Sequence, residues 1–354
     1  MSASIRQSPP IDLSKSVTPA WMKDKVVLIT GGASGFGAAM VKAWAAEGAC
    51  IIVGDINVEK GDPLIRQIRK ETNNQNVHFI RCDVTDWQSQ VNLFKEAVKL
   101  SPHGGIDTVV PNAGIAAPDI FHLPRNMDAP EPKQPRFKVV DVNLIGVLYT
   151  THLAWWYLPR NPGSKPADPK CDPASVKRDR HILFIGSAAS LHPISGLPQY
   201  GTAKHGVLGL FRSLRSTSSL AGIRVNIICP YYIDTPLIST MARIFLAGGA
   251  MGTLEDIVEG VNRLAADPTV VGRGLSVGPK MRVAQQEDGV WTLEPKDSTK
   301  GFESGVWEAF MDDWEVQELF NKRMLMTLNA VAATRGWIGW VKDIMGAFRH
   351  NFGF

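Results

Sequence analysis

The chain has 354 residues, 44% hydrophobic and 20% charged, with a formal net charge of +4. That length and balance suit a large globular core and exclude a disordered, fibrous or collagen-like chain. The small charge, without a basic block, leaves no electrostatic footprint for nucleic acid. No run of 18 apolar residues offers a membrane span.

In chain order, residues 1–24 are polar and proline-containing and read as a tail or strap, without the apolar stretch of a secretory signal. From Lys25 to about Gly278, short β-branched runs alternate with amphipathic stretches. The runs are 26–30, 50–54, 77–81, 108–110, 181–185, 225–229 and 275–277. Helix-like segments lie at 38–47, 88–100, 137–157 and 200–220. Strands alternating with helices imply βαβ units, and the near-continuous apolar strands imply burial on both faces. The expected fold is α/β, a doubly wound, Rossmann-like parallel sheet in a single domain over 25–280. Residues 160–179 carry four prolines and many charges and read as a surface excursion.

Residues 281–354 form a C-terminal extension. Two β-like stretches, 281–286 and 290–295, flank Glu287-Asp288-Gly289 and predict a hairpin. A helix is expected over 306–326. Trp337, Trp340, Val341, Ile344, Met345 and Phe348 then recur at helical spacing, as a face that packs on the body or on a second copy, with a membrane-surface helix or a substrate lid as the other readings. Cys50, Cys82, Cys171 and Cys229 are widely separated with no CxxC pair. They suit free thiols in a reducing, cytoplasmic compartment, and no metal site is expected.

Two patterns carry chemistry. Thr30-Gly31-Gly32-Ala33-Ser34-Gly35-Phe36-Gly37 joins a buried strand to a helix in the spacing TGxxxGxG. Free N–H groups at a helix N-terminus favour phosphate, and residues without a Cβ let the backbone approach it. Asp55, followed by Ile56, ends the next strand, where a carboxylate can accept the ribose hydroxyls of NAD and repel the 2′-phosphate of NADP. NAD is therefore the expected cofactor, with NADP the lesser choice.

Tyr200 and Lys204 stand four residues apart on one helix face. Oxidising a carbinol requires a base for its hydroxyl proton, and a nearby ammonium is expected to lower the pKa of the phenol. Ser187, after the 181–185 strand, can bond the substrate oxygen, and Asn143 can hold a water that relays protons from Lys204.

With these motifs in order, the chain resembles the short-chain dehydrogenase/reductase family over about residues 25–280. Asp83 with Val84, Asn112-Ala113-Gly114, and the segment from Asn226 through Pro230 and Ile233 to Thr235 also match its pattern. The resemblance implies that Ser187, Tyr200 and Lys204 form a catalytic triad and that Asn143 completes a tetrad. It places adenine at Asp83 and the nicotinamide carboxamide at the 230–235 segment. It also implies a homodimer or homotetramer. Tyr231 stands where the family usually has glycine. Within the family, YGTAKHGVLGLFRSL and NIICP are most similar to 15-hydroxyprostaglandin dehydrogenases and fungal polyketide dehydrogenases of the hydroxyaverantin type, which implies a hydrophobic secondary alcohol as substrate. Apolar residues in 236–251, where the family carries its variable substrate loop, read either as a wall of the substrate pocket or as an amphipathic helix packed on the core. The alternatives are an NADPH-dependent ketoreductase, a redox-neutral cyclase, or a non-catalytic nucleotide-binding protein.

Overall fold

The computed structural model describes residues 8–309, except 118–127, 129, 193, 234, 236–245, 247–250, 288, 290 and 296, together with single helical residues between 326 and 345. The chain divides into two compact units, residues 6–309 and a second made of 1–5 with 310–354.

The larger unit is the expected α/β fold. Seven parallel strands, β1 (Val26–Thr30), β2 (Cys50–Asp55), β3 (Val77–Arg81), β4 (Thr108–Val110), β5 (His181–Ile185), β6 (Arg224–Pro230) and β7 (Gly274–Gln285), stand in the order β3-β2-β1-β4-β5-β6-β7. The order reverses beside β1, which pairs with β2 (Val26↔Cys50) on one side and β4 (Leu28↔Val109) on the other. A crevice opens at such a switch point, beyond the carboxyl ends of the strands. Strands β1, β4, β5 and β6 are buried along their whole length, as a sheet covered on both faces requires.

Helices α1 (Gly35–Ala46), α2 (Val58–Thr72) and α3 (Trp87–Leu100) follow the first three strands. After β4, a first turn α4 (Lys138–Val140), a π-helical turn (Asp141–Ile145) and α5 (Gly146–Tyr157) run on continuously. Helix α6 (Pro198–Thr217) precedes β6, and α7 (Leu254–Ala265) precedes β7. The sequence reading passed over α7, although its capping box was legible. The Thr253 hydroxyl accepts the Asp256 N–H at 3.1 Å while the Asp256 carboxylate accepts the Thr253 N–H at 3.0 Å. Trp44 of α1 is fully buried and donates its indole N–H to Asn262 of α7 at 2.8 Å.

The last strands extend the sheet. β7 runs on past a bulge between Val277 and Met281 to pair antiparallel with β8 (Trp291–Glu294), which is the expected hairpin, and with β9 (Phe302–Glu308). Pro279 sits in the bulge, where a residue without an N–H costs no ladder bond. The helix expected from Val306 does not begin there. Val306 lies in β9 and pairs with Val277. An edge of β7 left open would expose a row of unpaired backbone groups, and β9 satisfies them. Residues 307–308 are also in β9, Met326 is helical, and residues 310–325 of that expected helix, with Trp340, Ile344 and Phe348 of the aromatic stripe, lie outside the described residues. Trp337, Val341 and Met345 are helical.

Residues 8–22 are a strap. The Ser8 N–H donates to Val271 O at 3.1 Å, Arg263 holds Leu13 O at 3.2 Å, and Leu13 and Met22 are buried. The 160–179 excursion is also tied down. Lys25 Nζ donates to Lys177 O at 2.9 Å, and the Ala167 N–H to Gly222 O at 2.9 Å. All four cysteines are free, and Cys50, Cys82 and Cys229 are buried.

Candidate active site

A cleft of about 870 Å³ opens over the carboxyl ends of the strands. Its floor is the β1–α1 turn. Gly31 has φ +67°, and a Cβ there would stand 2.6 Å from Ala113 Cα. Both the backbone conformation and the contact demand glycine. At Gly37, a Cβ would meet Gly31 O at 2.4 Å and Asn112 Nδ2 at 2.7 Å. Gly35, with φ +55°, has nothing within 4 Å of its missing Cβ, so this turn is open to an incoming group. Ser34 caps α1 without a side-chain hydrogen bond, which leaves the first N–H groups of a 12-residue helix to face the cleft.

The turn is held from across the sheet. Asn112 Nδ2 donates to Thr30 O and Gly31 O, both at 2.9 Å, and Thr30 Oγ1 accepts the N–H groups of Asn112 at 3.1 Å and Ala113 at 3.2 Å. A Gly37→Ala variant pushes a methyl into this clasp, and overpacking of that kind costs roughly 1–3 kcal/mol. We expect its Kd for NADH to rise about tenfold or more, read by fluorescence titration, with melting temperature followed in parallel.

One end of the cleft carries Asp55, Ile56 and Lys60. Asp55 Oδ2 accepts the Ala33 N–H at 3.0 Å and Oδ1 the Asn57 N–H at 2.9 Å, so the carboxylate is fixed by two backbone donors. Asn57 caps α2 by accepting the Lys60 N–H at 2.9 Å. The adjoining wall holds Cys82, Asp83, Val84 and Thr85. Asp83 Oδ1 accepts both the N–H and the hydroxyl of Thr85, at 2.9 and 2.7 Å.

The other end gathers Tyr200 and Lys204 from α6, Asn143 from the π-helical turn, and Ile185 and Gly186 after β5. Asn143 is buried and clasps Ile115, with Oδ1 accepting its N–H at 2.8 Å and Nδ2 donating to its carbonyl at 2.9 Å. Both ends of the amide are thus engaged by the chain after Gly114. The widened turn around it, in which the Gly146 N–H reaches back to Asp141 O, is a common accompaniment of functional sites.

Lys204 Nζ donates to Ile185 O at 2.9 Å and stands 5.9 Å from the centroid of the Tyr200 ring. Burial pushes the Lys204 ammonium down to about 8. The Tyr200 hydroxyl is hydrogen-bonded to the Ser187 side chain. The sequence led us to expect a lowered phenol pKa. Burial instead raises it, outweighing the Ser187 bond that favours the phenolate.

Among the residues singled out from sequence, the cleft wall contains Gly31, Ser34, Gly35, Phe36, Asp55, Ile56, Asp83, Val84, Asn112, Ala113, Gly114, Asn143, Tyr200, Lys204 and Thr235. Gly37, Ser187, Pro230 and Ile233 are not on it. Gly37 packs behind the turn, and Ser187 reaches the site through Tyr200. Ile233 bridges to Gly252, closing the base of the 236–251 segment, most of which lies outside the described residues. Tyr231 is not on the wall either. Its ring meets Tyr232 edge-on at 4.8 Å, and its Cβ fills the space beside Gly278. The sequence reading missed Lys60, Thr85, Ile115, Lys138, Asp141 and Tyr149 on the wall. Lys60, five residues past Asp55 in the first turn of α2, was the one with a signal. Among the described residues no cluster of His, Cys, Asp and Glu could hold a metal, and no helix is long and apolar enough to cross a membrane.

The family model for short chain dehydrogenases matches residues 25–243. The chain belongs to the short-chain dehydrogenases. Its relatives in the family include a 5′-hydroxyaverantin dehydrogenase of Dothistroma septosporum, 35% identical over 76% of this chain and 89% of that protein. The NADP-dependent dehydrogenase M3 of a Phoma species is 32% identical over 77% of this chain and 79% of its own length. The bovine 15-hydroxyprostaglandin dehydrogenase [NAD(+)] is 28% identical, with 71% and 84% covered.

Proposed function

We propose that this short-chain dehydrogenase interconverts a secondary alcohol and a ketone on a hydrophobic small molecule of the polyketide kind, using NAD(H). The observation that carries the reading is the Tyr200 phenol, bonded to Ser187 and set beside the Lys204 ammonium, at the far end of a cleft whose floor is a glycine turn on a helix N-terminus. The open turn at Gly35 and the free N–H groups of α1 fit a pyrophosphate, and the cleft volume of about 870 Å³ leaves room for a dinucleotide. The nicotinamide, when bound, takes or gives the hydride. Tyr200 holds the proton that leaves or enters the carbinol oxygen, Ser187 orients that oxygen, and Lys204 supplies the positive charge that favours phenolate. The hydroxyaverantin dehydrogenase relative supports the substrate class. The test is turnover of a panel of apolar secondary alcohols with NAD and with NADP. No reduced cofactor from any of them, in the presence of bound NAD, would sink the reading.

Asp55 favours NAD, because its carboxylate suits a ribose diol and opposes a 2′-phosphate. Lys60 supports the other reading, since a cation on the same wall could meet that phosphate, and one relative is named for NADP. The two residues separate the readings. We expect Asp55→Ala to lower kcat/KM with NAD by about 10- to 100-fold, the value of one or two charge-assisted hydrogen bonds. Lys60→Ala should leave NAD kinetics unchanged. A large loss in Lys60→Ala together with a mild effect in Asp55→Ala would assign the site to NADP.

A further inference from the structure

Ser187 is placed by more than its strand. It caps the 3-10 turn Ala188–Ser190 through a reciprocal pair of bonds. Its Oγ accepts the Ala189 N–H at 3.1 Å, and its own N–H donates to Ser190 Oγ at 3.2 Å. The same N–H also faces the Cys229 thiol, which burial pushes up to about 12 and so keeps neutral. Ser190 is 1% exposed and does not touch the cleft. Its hydroxyl proton goes elsewhere, to Lys204 O at 2.8 Å. One buried hydroxyl therefore accepts from the backbone of Ser187 and donates to the backbone of Lys204.

We propose that Ser190 is a positioning residue that couples the Ser187 turn to helix α6, setting the distance between the Ser187 hydroxyl and the Tyr200 phenol. The proposal rests on the Ser187–Tyr200–Lys204 arrangement argued above. The turn after β5 and the helix α6 are separate elements joined by a loop, and a loop alone does not hold two hydroxyls at hydrogen-bond distance. The bridge does so, because a hydroxyl with its lone pair and its proton both committed has a fixed orientation. Loss of the bridge frees the Ser187 turn to drift from Tyr200. The Ser187 bond is what favours the phenolate against burial, so drift raises the pH at which Tyr200 ionises. A purely structural serine would lower the melting temperature without moving that titration.

The test needs no substrate. The full-length protein and its Ser190→Ala variant are titrated between pH 7 and about 11.5, with phenolate absorbance read in the ultraviolet. The matching Tyr200→Phe spectrum is subtracted in each background to isolate Tyr200. We expect less Tyr200 phenolate in Ser190→Ala at every alkaline pH, as an upward shift of roughly 0.5 to 1 unit for one weakened hydrogen bond to the anion. If Ser190→Ala does not fold, Ser190→Cys replaces it, keeping the volume with a weaker donor and acceptor, and a smaller shift of the same sign is expected. Coincident curves, whether rising or flat, overturn the proposal. Because no turnover is read, failure of the dehydrogenase reading and failure of this coupling give different results.

Discussion

Tyr200→Phe is expected to lower kcat by about 10³- to 10⁴-fold, the upper range for removal of a general acid–base group. Phenylalanine keeps the ring and its burial, so α6 and the cleft wall should be undisturbed, and Kd for NADH should change little. What disappears is the hydroxyl bonded to Ser187, which the proposed reaction uses as its proton carrier. The same argument gives a pH dependence. Burial raises the phenol above its ordinary value and depresses the ammonium to about 8, so the ammonium gives up its proton first. Below that range both groups hold their protons, and there is no base for alcohol oxidation. Above it Lys204 is neutral and, in the proposed reaction, can receive the proton that Tyr200 passes on as the carbinol is oxidised. We therefore expect kcat/KM for oxidation to rise with pH through about 8, and kcat/KM for ketone reduction to fall through the same range. A Tyr200→Phe enzyme retaining a tenth of native kcat, or an oxidation rate that falls through this range, would remove Tyr200 from the chemistry.

The sequence made the sheet legible because burial on both faces writes itself as short apolar runs. Strand β1 was predicted to the residue, and β5 likewise. The glycine turn was legible because Gly31 and Gly37 are each forced by backbone contacts that no other residue tolerates. Other features depend on partners distant in sequence. Val306 reads equally well in a helix or a strand, and the open edge of β7, some 30 residues earlier, decides between them. The direction of the Tyr200 shift could not be read from YxxxK, because spacing reports the ammonium and says nothing about burial of the phenol. Lys60 was within reach, since a cation in the first turn of the helix after Asp55 points toward the same end of the cleft. The bridge from Ser190 to Lys204 crosses 14 residues and a loop, and no pattern in the sequence announces it.

Arg224→Met is expected to destabilise the fold strongly, by about 3–5 kcal/mol. Arg224 opens β6 and is fully buried. Its guanidinium meets the Asp179 carboxylate at 2.7 Å through Nη2 and at 3.0 and 3.1 Å through Nε. The remaining donors reach Leu264 O and Ala265 O, both at 2.7 Å, and Asp267 O and Val270 O at 3.1 and 3.2 Å. These carbonyls belong to the C-terminal end of α7 and the chain just beyond it, where backbone oxygens lack helical partners and a cation is favoured. One side chain thus anchors α7 to the start of β6, whose other end leads to Thr235 on the cleft wall. Methionine fills much of the volume but leaves Asp179 as a buried charge without its cation, and that orphaned charge dominates the cost. The melting temperature should drop on the order of 10 °C. The double variant Arg224→Met with Asp179→Leu removes the orphan as well and should recover part of the loss. If the double variant is no more stable than the single one, the penalty comes from the uncapped carbonyls of α7 and not from the stranded carboxylate.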